Sequence, residues 1–194
     1  MKTPSNSLEL DEMITRPTDQ VRDAMQRFSG PITVLGAGGK MGFHLCRMLQ
    51  RALTDLNRDN DLLAVSRFSS TASLNQFKDA GIATRVADLC DPVQVTSLPV
   101  TPWVFFLAGV KFGTANQPEL LTQMNGAMPR LVAQHYADST ITAMSTGCVY
   151  SFVEHTCGGS TETDPTAPPG AYAQSCLDRE TAFTDISSSH GTRC

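Results

Sequence analysis

The 194-residue sequence has few charged side chains and no hydrophobic stretch long enough to span a membrane. Charged residues make up 18% of the chain, and the formal net charge is −4 with no basic cluster. This balance argues against nucleic acid as a partner, and no apolar run approaches the length that crosses a bilayer. The N-terminus also lacks the basic and then apolar pattern of a secretion signal. We therefore expect a cytoplasmic globular protein.

Patterns typical of disulfide frameworks and metal sites are also missing. No two cysteines form a Cys-x-x-Cys pair, and no histidine has metal-ligand spacing to a cysteine or to another histidine. Without a secretion signal, the six cysteines are interpreted as buried or free thiols. We predict no metal site. His44 and His135 fall in helical patterns, where we expect solvated or hydrogen-bonded side chains.

An alternation of strand and helix patterns begins near residue 31. Strands are predicted at 31–36, 61–66, 82–86, 103–108 and 140–145, and helices at 40–57, 71–80, 91–97, 117–137 and 171–185. Continuous apolar runs such as 62–65 and 103–107 are typical of strands buried on both faces. The alternation predicts an α/β, Rossmann-like, doubly wound parallel sheet with helices on both faces. We assign this domain to 30–194 and an N-terminal extension with two short helices to 1–29.

The most informative segment is a glycine-rich turn between a predicted strand and a predicted helix, here called the glycine loop (residues 36–42). Glycines let a pyrophosphate approach the backbone, and N–H groups at the helix N-terminus bind it. The predicted phosphate-binding residues are Gly36, Gly38, Gly39, Lys40, Met41 and Gly42. A tight turn without a ligand, or a mononucleotide or flavin site, stays open. The Gly-Lys-Ser/Thr ending of a P-loop is missing, which argues against ATP hydrolysis.

Arg67 follows the second predicted strand, and this position bears on cofactor choice. NAD-preferring domains usually carry an acid there, which binds the ribose 2′-hydroxyl. Arg67 could instead pair with the 2′-phosphate of NADP. The alternative is a solvated surface arginine. We predict NAD or NADP as the cofactor, and Arg67 favours NADP.

Further cofactor contacts are expected after the third and fourth predicted strands, because ligands of doubly wound folds bind beyond the carboxyl ends of the strands. Asp88 could accept a hydrogen bond from an adenine amino group while Leu89 packs on the ring. The alternative for Asp88 is a helix cap near 91–92. The small-residue segment after the fourth strand would let the backbone approach the cofactor, and it consists of Leu107, Ala108 and Gly109.

Hydroxyl groups follow the fifth predicted strand at Ser145 and Thr146. Such groups can polarise a substrate carbonyl or alcohol. A Gly-, Pro- and Thr-rich loop over 157–170 then leads to a helix that begins near Tyr172, and loops of this length usually serve a function. Tyr172 could lie opposite Thr146, although spacing alone favours a structural tyrosine.

Together these segments resemble the extended short-chain dehydrogenase/reductase family, the NAD(P)-dependent sugar-nucleotide epimerases and dehydratases. The resemblance covers about residues 31–187 and rests on Gly36-x-x-Gly39-x-x-Gly42, Asp88-Leu89, Leu107-Ala108-Gly109, Asn125, Ser145-Thr146-x-x-Val149-Tyr150 and Tyr172. It implies that Thr146 orients the substrate and that Tyr172 is the general acid/base. It also implies that Asn125 supports the active-site helix.

One position departs from the family pattern, since Tyr-x-x-x-Lys is replaced by Tyr172-x-x-x-Cys176. In the family this lysine lowers the pKa of the tyrosine and hydrogen-bonds the nicotinamide ribose. A neutral thiol supplies no charge, and Arg179 lies two helical turns beyond Tyr172, about 10 Å along the axis. We therefore expect Arg179 to be a poor substitute. The candidate catalytic residues are Ser145, Thr146, Tyr172 and Cys176.

The second departure is the early end of the chain at Cys194. The resemblance implies further strands and a small substrate-binding domain, so we expect a chain that lacks the C-terminal substrate domain, either as a fragment or as a minimal binding domain. The segment 187–191 is predicted as a loop that leads to a strand. An unpaired sheet edge would favour a homodimer.

Two functions remain open on the sequence. The first is an NAD(P)-dependent oxidoreductase of the epimerase/dehydratase type, acting on a nucleotide sugar or a similar small hydroxyl or carbonyl compound. The second is a non-catalytic NAD(P)-binding module or sensor, which Cys176 in place of lysine favours.

Overall fold

Five short strands form a sheet in a computed structural model that describes residues 3–111 and 117–194. They are β1 (Ile32–Leu35), β2 (Leu62–Ser66), β3 (Ala83–Val86), β4 (Trp103–Phe106) and β5 (Thr140–Ala143), in the order β3-β2-β1-β4-β5. Strand β1 pairs in parallel with both β2 and β4, and Ile32 stands opposite Leu62 on one side and Trp103 on the other. The connection reverses direction between β1 and β4, which places the topological switch point at their carboxyl ends. The predicted Rossmann-like parallel sheet is confirmed.

Eight α-helices connect and follow these strands within the described residues. They are α1 (Ser7–Ile14), α2 (Asp19–Arg27), α3 (Gly42–Thr54), α4 (Thr71–Asp79), α5 (Pro92–Thr96), α6 (Pro118–Leu121), α7 (Met128–His135) and α8 (Gly170–His190). A π-helical segment (Thr122–Ala127) joins α6 to α7, and a 3₁₀ turn (Gly147–Val149) follows β5. In the described part of the chain, no helix is both long and apolar enough to cross a membrane.

The chain divides into two compact units. The first unit comprises the described residues of 1–88 and 99–108, and the second comprises those of 89–98 and 109–194. In the first unit β1 is fully buried, as expected for a strand with neighbours on both sides. Its core continues into edge-to-face contacts of Phe77 with Phe43 and Phe68, at centroid distances of 5.2 and 5.1 Å. These rings fix α3 and α4, and therefore fix the loop that precedes α3.

The two N-terminal helices pack against α3 in the first unit. His44 Nε2 lies 2.8 Å from Asp11 Oδ1, and Arg51 Nη1 donates to Thr15 Oγ1 at 3.0 Å. Met25 of α2 is buried in the core. The predicted hydrogen-bonded state of His44 is confirmed, while the boundary of the extension at residue 29 stays a prediction. Its first two residues lie outside the described part of the chain.

In the second unit α7 and α8 pack on each other and on the π-helical segment. The helix predicted over 117–137 needs one correction: the chain is helical over 118–135, but residues 122–127 are π-helical and not α-helical. A continuous α-helix would require the backbone N–H of residue 129 to bond the carbonyl of Asn125, and Pro129 has no N–H. The wider π turn places Asn125 in the interior, where it is fully buried.

The predicted loop at 187–191 is also wrong, since α8 continues to His190. Ser189 Oγ bonds back to the carbonyl of Asp185 at 2.8 Å, which satisfies the hydroxyl inside the helix. Gly191 ends the helix in the left-handed conformation with φ 72°. Arg193 then forms a parallel bridge with Thr140, and the N–H of Ile141 donates to its carbonyl at 2.7 Å.

Candidate functional site

The glycine loop of the first unit is shaped by two glycines that no other residue could replace without displacing backbone. Gly36 has φ +81°, and a Cβ built there would lie 2.6 Å from the backbone N of Ala108. A Cβ at Gly42 would lie 2.1 Å from the carbonyl oxygen of Ala37. Between them, Gly38, Gly39, Lys40 and Met41 are all exposed. The loop is therefore closed against its own backbone on one side and open to solvent on the other.

Helix α3 begins at Gly42 without a side-chain cap. Met41 occupies the N-cap position and makes no capping hydrogen bond, and the first turn holds no acidic side chain. The first backbone N–H groups of a helix have no partner within the helix, and they carry partial positive charge. Helices α1, α2, α4 and α5 each satisfy such groups with a side chain, from Asn6, Thr18, Ser70 and Asp91 respectively. The N-terminus of α3 is therefore suited to an anion.

Ser66 and Arg67 lie at the carboxyl end of β2, next to the glycine loop. A Cβ at Gly38 would meet Ser66 Oγ at 2.7 Å. Arg67 is exposed, and within the described residues its guanidinium has no ion-pair or hydrogen-bond partner. A free guanidinium at this place is compatible with both interpretations of Arg67, since a surface arginine and a phosphate-binding arginine look alike before the ligand arrives.

The structure divides the remaining predicted cofactor contacts between the units. Asp88, Leu107 and Ala108 belong to the first unit, where all three are half-buried and Ala108 contacts the glycine loop. Leu89 and Gly109 belong to the second unit; Leu89 is buried and Gly109 is exposed. The cap of the short helix α5 is Asp91, whose carboxylate accepts from the N–H of Val93 at 2.9 Å.

Hydroxyl groups in the second unit surround the turn after β5. Thr146 is the N-cap of the 3₁₀ turn, and its Oγ1 accepts from the N–H of Cys148 at 3.3 Å. Ser145 Oγ donates to the carboxylate of Glu180 on α8. Ser145 is thus bound to a carboxylate, whereas the hydroxyl hydrogen of Thr146 is left available for a ligand oxygen.

Tyr172 stands in the first turn of α8, and thiols surround its phenol. Burial, together with a hydrogen bond to Cys176 and the charge effects of Cys176 and Cys148, raises the pKa of Tyr172 to about 12, although Arg179 lowers it. Cys176 is itself buried at 1% exposure. Lys111 Nζ lies over the Tyr172 ring, 5.8 Å from its centroid. At neutral pH this phenol is a proton donor and not a base.

Asn125 connects the π-helical segment to α8. Its amide oxygen accepts from the N–H of Val110 at 3.0 Å, and its amide nitrogen donates to the Val110 carbonyl at 3.1 Å and to Ser175 Oγ at 3.0 Å. Ser175 in turn donates to the carbonyl of Tyr172 at 2.7 Å. The buried amide therefore positions the first turn of α8, which carries Tyr172.

The side chain of Arg179 reaches further toward Tyr172 than the distance along the helix axis suggests. Its side chain is folded against Gly109, where a Cβ would meet its Nη1 at 2.7 Å, and its charge lowers the pKa of Tyr172. Side chains of α-helices lean toward the N-terminus, so a long arginine shortens a separation of two turns. The signal was present in the sequence, because residues seven apart share a helix face. Its effect does not offset burial and the thiols, so the pKa of Tyr172 stays high.

The cysteines and histidines take ordinary structural roles. All six cysteines are thiols, as predicted, and burial raises the pKa of the Cys46 thiol to about 12. His135 bonds the carbonyl of Leu98 through Nε2 at 3.1 Å. Within residues 3–111 and 117–194, no three potential metal-ligating side chains lie together.

Comparison with known proteins gives one family and many similar structures. The sequence profile of the NAD dependent epimerase/dehydratase family matches residues 32–194. No curated protein sequence matches the chain.

Three solved structures illustrate the likeness of the fold. The dTDP-glucose 4,6-dehydratase from Streptomyces venezuelae, solved with NAD and TYD bound, has 17% identity over 84% of this chain and 53% of its own, with a TM-score of 0.71. The UDP-Glc/GlcNAc 4-epimerase of Campylobacter jejuni has 19% identity over 84% and 50%, with a TM-score of 0.68. The UDP-glucuronic acid 4-epimerase of Bacillus cereus, solved with NAD, has 18% identity over 84% and 54%, with a TM-score of 0.65. The chain therefore spans about half the length of the structures it matches.

Proposed function

The chain belongs to the NAD dependent epimerase/dehydratase family, and from this premise we propose that it binds NAD(P) and serves an oxidoreductase-type reaction. The substrate is a nucleotide sugar or a similar small compound with a hydroxyl or carbonyl group. The observation that carries this proposal is the glycine loop, where glycines leave no room for side chains and the uncapped N-terminus of α3 presents its N–H groups. These features fit the pyrophosphate of a dinucleotide.

Residues outside the glycine loop would also contribute to cofactor binding. The glycine loop would hold the pyrophosphate, and Asp88 with Leu89 would hold the adenine. Leu107, Ala108 and Gly109 would border the cofactor with small or apolar groups. Arg67 would take the ribose end and favour NADP through a charged pairing with the 2′-phosphate. The nicotinamide supplies hydride transfer when it is bound.

The residues of the second unit would act on the reacting oxygen of the substrate. Thr146 would donate a hydrogen bond to it, while Ser145 is already bound to Glu180. Tyr172, protonated at neutral pH, would donate a proton to a developing alkoxide. Abstraction of a proton by Tyr172 would be slow at neutral pH, because burial and the hydrogen bond to Cys176 raise its pKa to about 12.

The proposal is tested at Met41, the exposed and uncapped N-cap of α3. Met41 has helical φ and ψ of −86° and −24°, so Met41→Asp should stabilise the chain only through its charge at the helix N-terminus, by about 0.5 kcal/mol. The same carboxylate would occupy the N–H groups and repel a pyrophosphate, so affinity for NADH and NADPH should fall by at least about tenfold. Nucleotide fluorescence measures binding, and thermal unfolding measures stability. Met41→Asn is the matched control, since it has nearly the same shape as aspartate without the charge and should weaken binding less.

A second candidate is a non-catalytic NAD(P)-binding module or sensor, favoured by the thiol of Cys176 beside Tyr172. The pKa of about 12 leaves Tyr172 without the phenolate that base catalysis needs. NAD(P) binding without turnover over a panel of nucleotide sugars would support this candidate. Turnover by the natural chain would exclude it.

We also propose a homodimer formed through a sheet edge. The edge strand β3 leaves Val86 58% exposed, and an unpaired strand edge can pair with a second copy. Val86→Lys should shift the chain toward monomer in light scattering after gel filtration. A natural chain that is monomeric at high concentration would remove this proposal without affecting the others.

A further inference from the structure

Arg179 in the second unit is a buried cation without a counter-charge. The residue is 8% exposed, and its Nε is buried with no hydrogen-bond partner. Across the described part of the chain, no carboxylate lies within ion-pair distance of its guanidinium, and none of its N–H groups has a protein acceptor. Guanidinium groups removed from water are normally paired, because an unpaired buried charge costs folding free energy.

Other arginines of the chain show what a satisfied guanidinium looks like here. Arg58 bonds Asp61 at 2.6 Å and also reaches the carbonyls of Met25 and Gly30. Arg130, on α7, bonds Asp185 at 2.7 Å. Arg179 is more buried than either residue and yet lacks any such contact. Its isolation is therefore a local feature and not a general property of arginines in this chain.

Arg179 borders a cavity of about 720 Å³, whose lining also includes Thr146, Tyr150, Phe183 and Ser187. This volume is in the range of small-molecule sites. Two acids also line the cavity, and both are engaged by hydroxyl donors. Tyr150 donates to Glu162 at 3.4 Å, and Ser145 donates to Glu180. Arg179 thus remains the cation that an entering ligand would meet.

We propose that Arg179 binds an oxyanion, a carboxylate or phosphate group of a ligand that enters this cavity. An oxyanion can accept two parallel hydrogen bonds from a guanidinium, which would satisfy donors that the protein leaves unpaired. The inference goes beyond the proposed function, because it assigns an oxyanion site to this cavity and needs neither the cofactor nor turnover. Thr146 borders the same cavity, so the acidic group and the reacting oxygen would belong to one ligand.

This inference has a consequence for stability that a structural role would not have. If Arg179 is kept for a ligand, Arg179→Met should raise the Tm of the ligand-free chain by about 3 °C or more, since an unpaired buried charge is exchanged for an apolar side chain of similar length. A structural arginine would give the opposite sign. A fall in Tm for Arg179→Met would therefore overturn the inference.

Anion binding is measured with the full chain at constant ionic strength, by titrating inorganic phosphate and, separately, acetate against chloride. Isothermal calorimetry and thermal shift should show saturable binding of at least one anion, and the one that binds identifies the source as phosphate or carboxylate. Arg179→Gln should weaken that binding by at least about tenfold. Arg130→Gln is the matched control, because it removes an arginine that already has a partner, and it should leave the binding unchanged.

Two results of the binding experiment would also overturn the inference. One is the absence of saturable binding of both anions, and the other is equal binding by Arg179→Gln and the natural chain. Either result would leave NAD(P) binding untouched, because the glycine loop is assayed separately. Conversely, a chain that binds an oxyanion through Arg179 but no NAD(P) would refute the proposed function alone.

Discussion

The two units of this chain present their candidate site residues in different ways. In the first unit the features that would hold a cofactor are backbone features, namely the turn at Gly36, the contact of Gly42 with Ala37 and the uncapped start of α3. In the second unit the features that would act on a substrate are side chains, and Cys176 departs from the family pattern. A family match therefore carries more weight for binding than for chemistry. The candidate features of the first unit depend on backbone geometry, while those of the second must be assessed residue by residue.

The largest expected effect concerns the backbone of the first unit. Gly42→Ala should destabilise the chain by about 3 kcal/mol, because a Cβ would lie 2.1 Å from the carbonyl oxygen of Ala37. The variant should also lose cofactor binding, because the added methyl group displaces the N-terminus of α3. Chemical unfolding and NADPH fluorescence report the two effects. Gly126→Ala is the matched control, because no atom lies within 4 Å of the added methyl group; equal stability losses in both variants would contradict the steric account.

The second prediction addresses the thiol beside Tyr172. Cys176→Lys should lower the pKa of Tyr172, because an ammonium group replaces a hydrogen-bonded thiol that raises it. In the natural chain the phenolate fraction should rise about tenfold per pH unit toward pH 12, so base-dependent turnover should rise without levelling up to about pH 10. The lysine variant should level off at lower pH and gain about 10²-fold or more at pH 7.

The pH profile of NAD(P)-linked turnover, together with an NMR titration of labelled tyrosine, checks this prediction. Cys176→Met is the control for side-chain size, and it should leave the profile without a plateau. A plateau near neutral pH in the natural chain would show that some other group activates Tyr172.

The third prediction concerns the buried amide that positions α8. Asn125→Leu should destabilise the second unit by about 2–3 kcal/mol, since it leaves Val110 and Ser175 without their partner. Hydrogen exchange should rise in the first turn of α8. Asn75→Leu, at an exposed position on α4, should change stability by less than about 0.5 kcal/mol. If both variants behave alike, Asn125 does not position the helix.

The smallest expected effect is on cofactor choice at Arg67. Arg67→Asp should reduce NADPH affinity by about tenfold and leave NADH affinity nearly unchanged, because only NADPH carries the 2′-phosphate. Parallel fluorescence titrations with both nucleotides measure the ratio. If Arg67→Asp leaves the ratio of NADPH affinity to NADH affinity unchanged, Arg67 is a surface arginine.

The sheet and its switch point could be predicted from the sequence, because continuous apolar runs indicate buried strands and glycines indicate the turn between a strand and a helix. The sequence was insufficient where a tertiary effect decides. The missing N–H of Pro129 changes the helix type around Asn125, and α8 continues over 187–190, where Ser189 Oγ is satisfied by the carbonyl of Asp185. The effect of Arg179 on Tyr172 is not predicted for a third reason. The spacing of two residues along a helix axis does not include the length of their side chains.

The same comparison explains what could be predicted of the site. Gly36 and Gly42 are identified by type and spacing alone, because only glycine satisfies their geometry. The pKa of Tyr172 depends most on its burial, and further on a group of neighbours that includes Cys148, which lies 24 residues before it in the sequence. No local pattern reports such a cluster.

The central claim is that the glycine loop holds the pyrophosphate of a nicotinamide dinucleotide. Calorimetric titration of the natural chain with NADPH and with NADH tests it most directly, with Met41→Asp titrated in parallel. We predict saturable one-to-one binding of at least one nucleotide, and a loss of at least about tenfold in the Met41→Asp variant. Failure of the folded natural chain to bind either nucleotide would contradict the account.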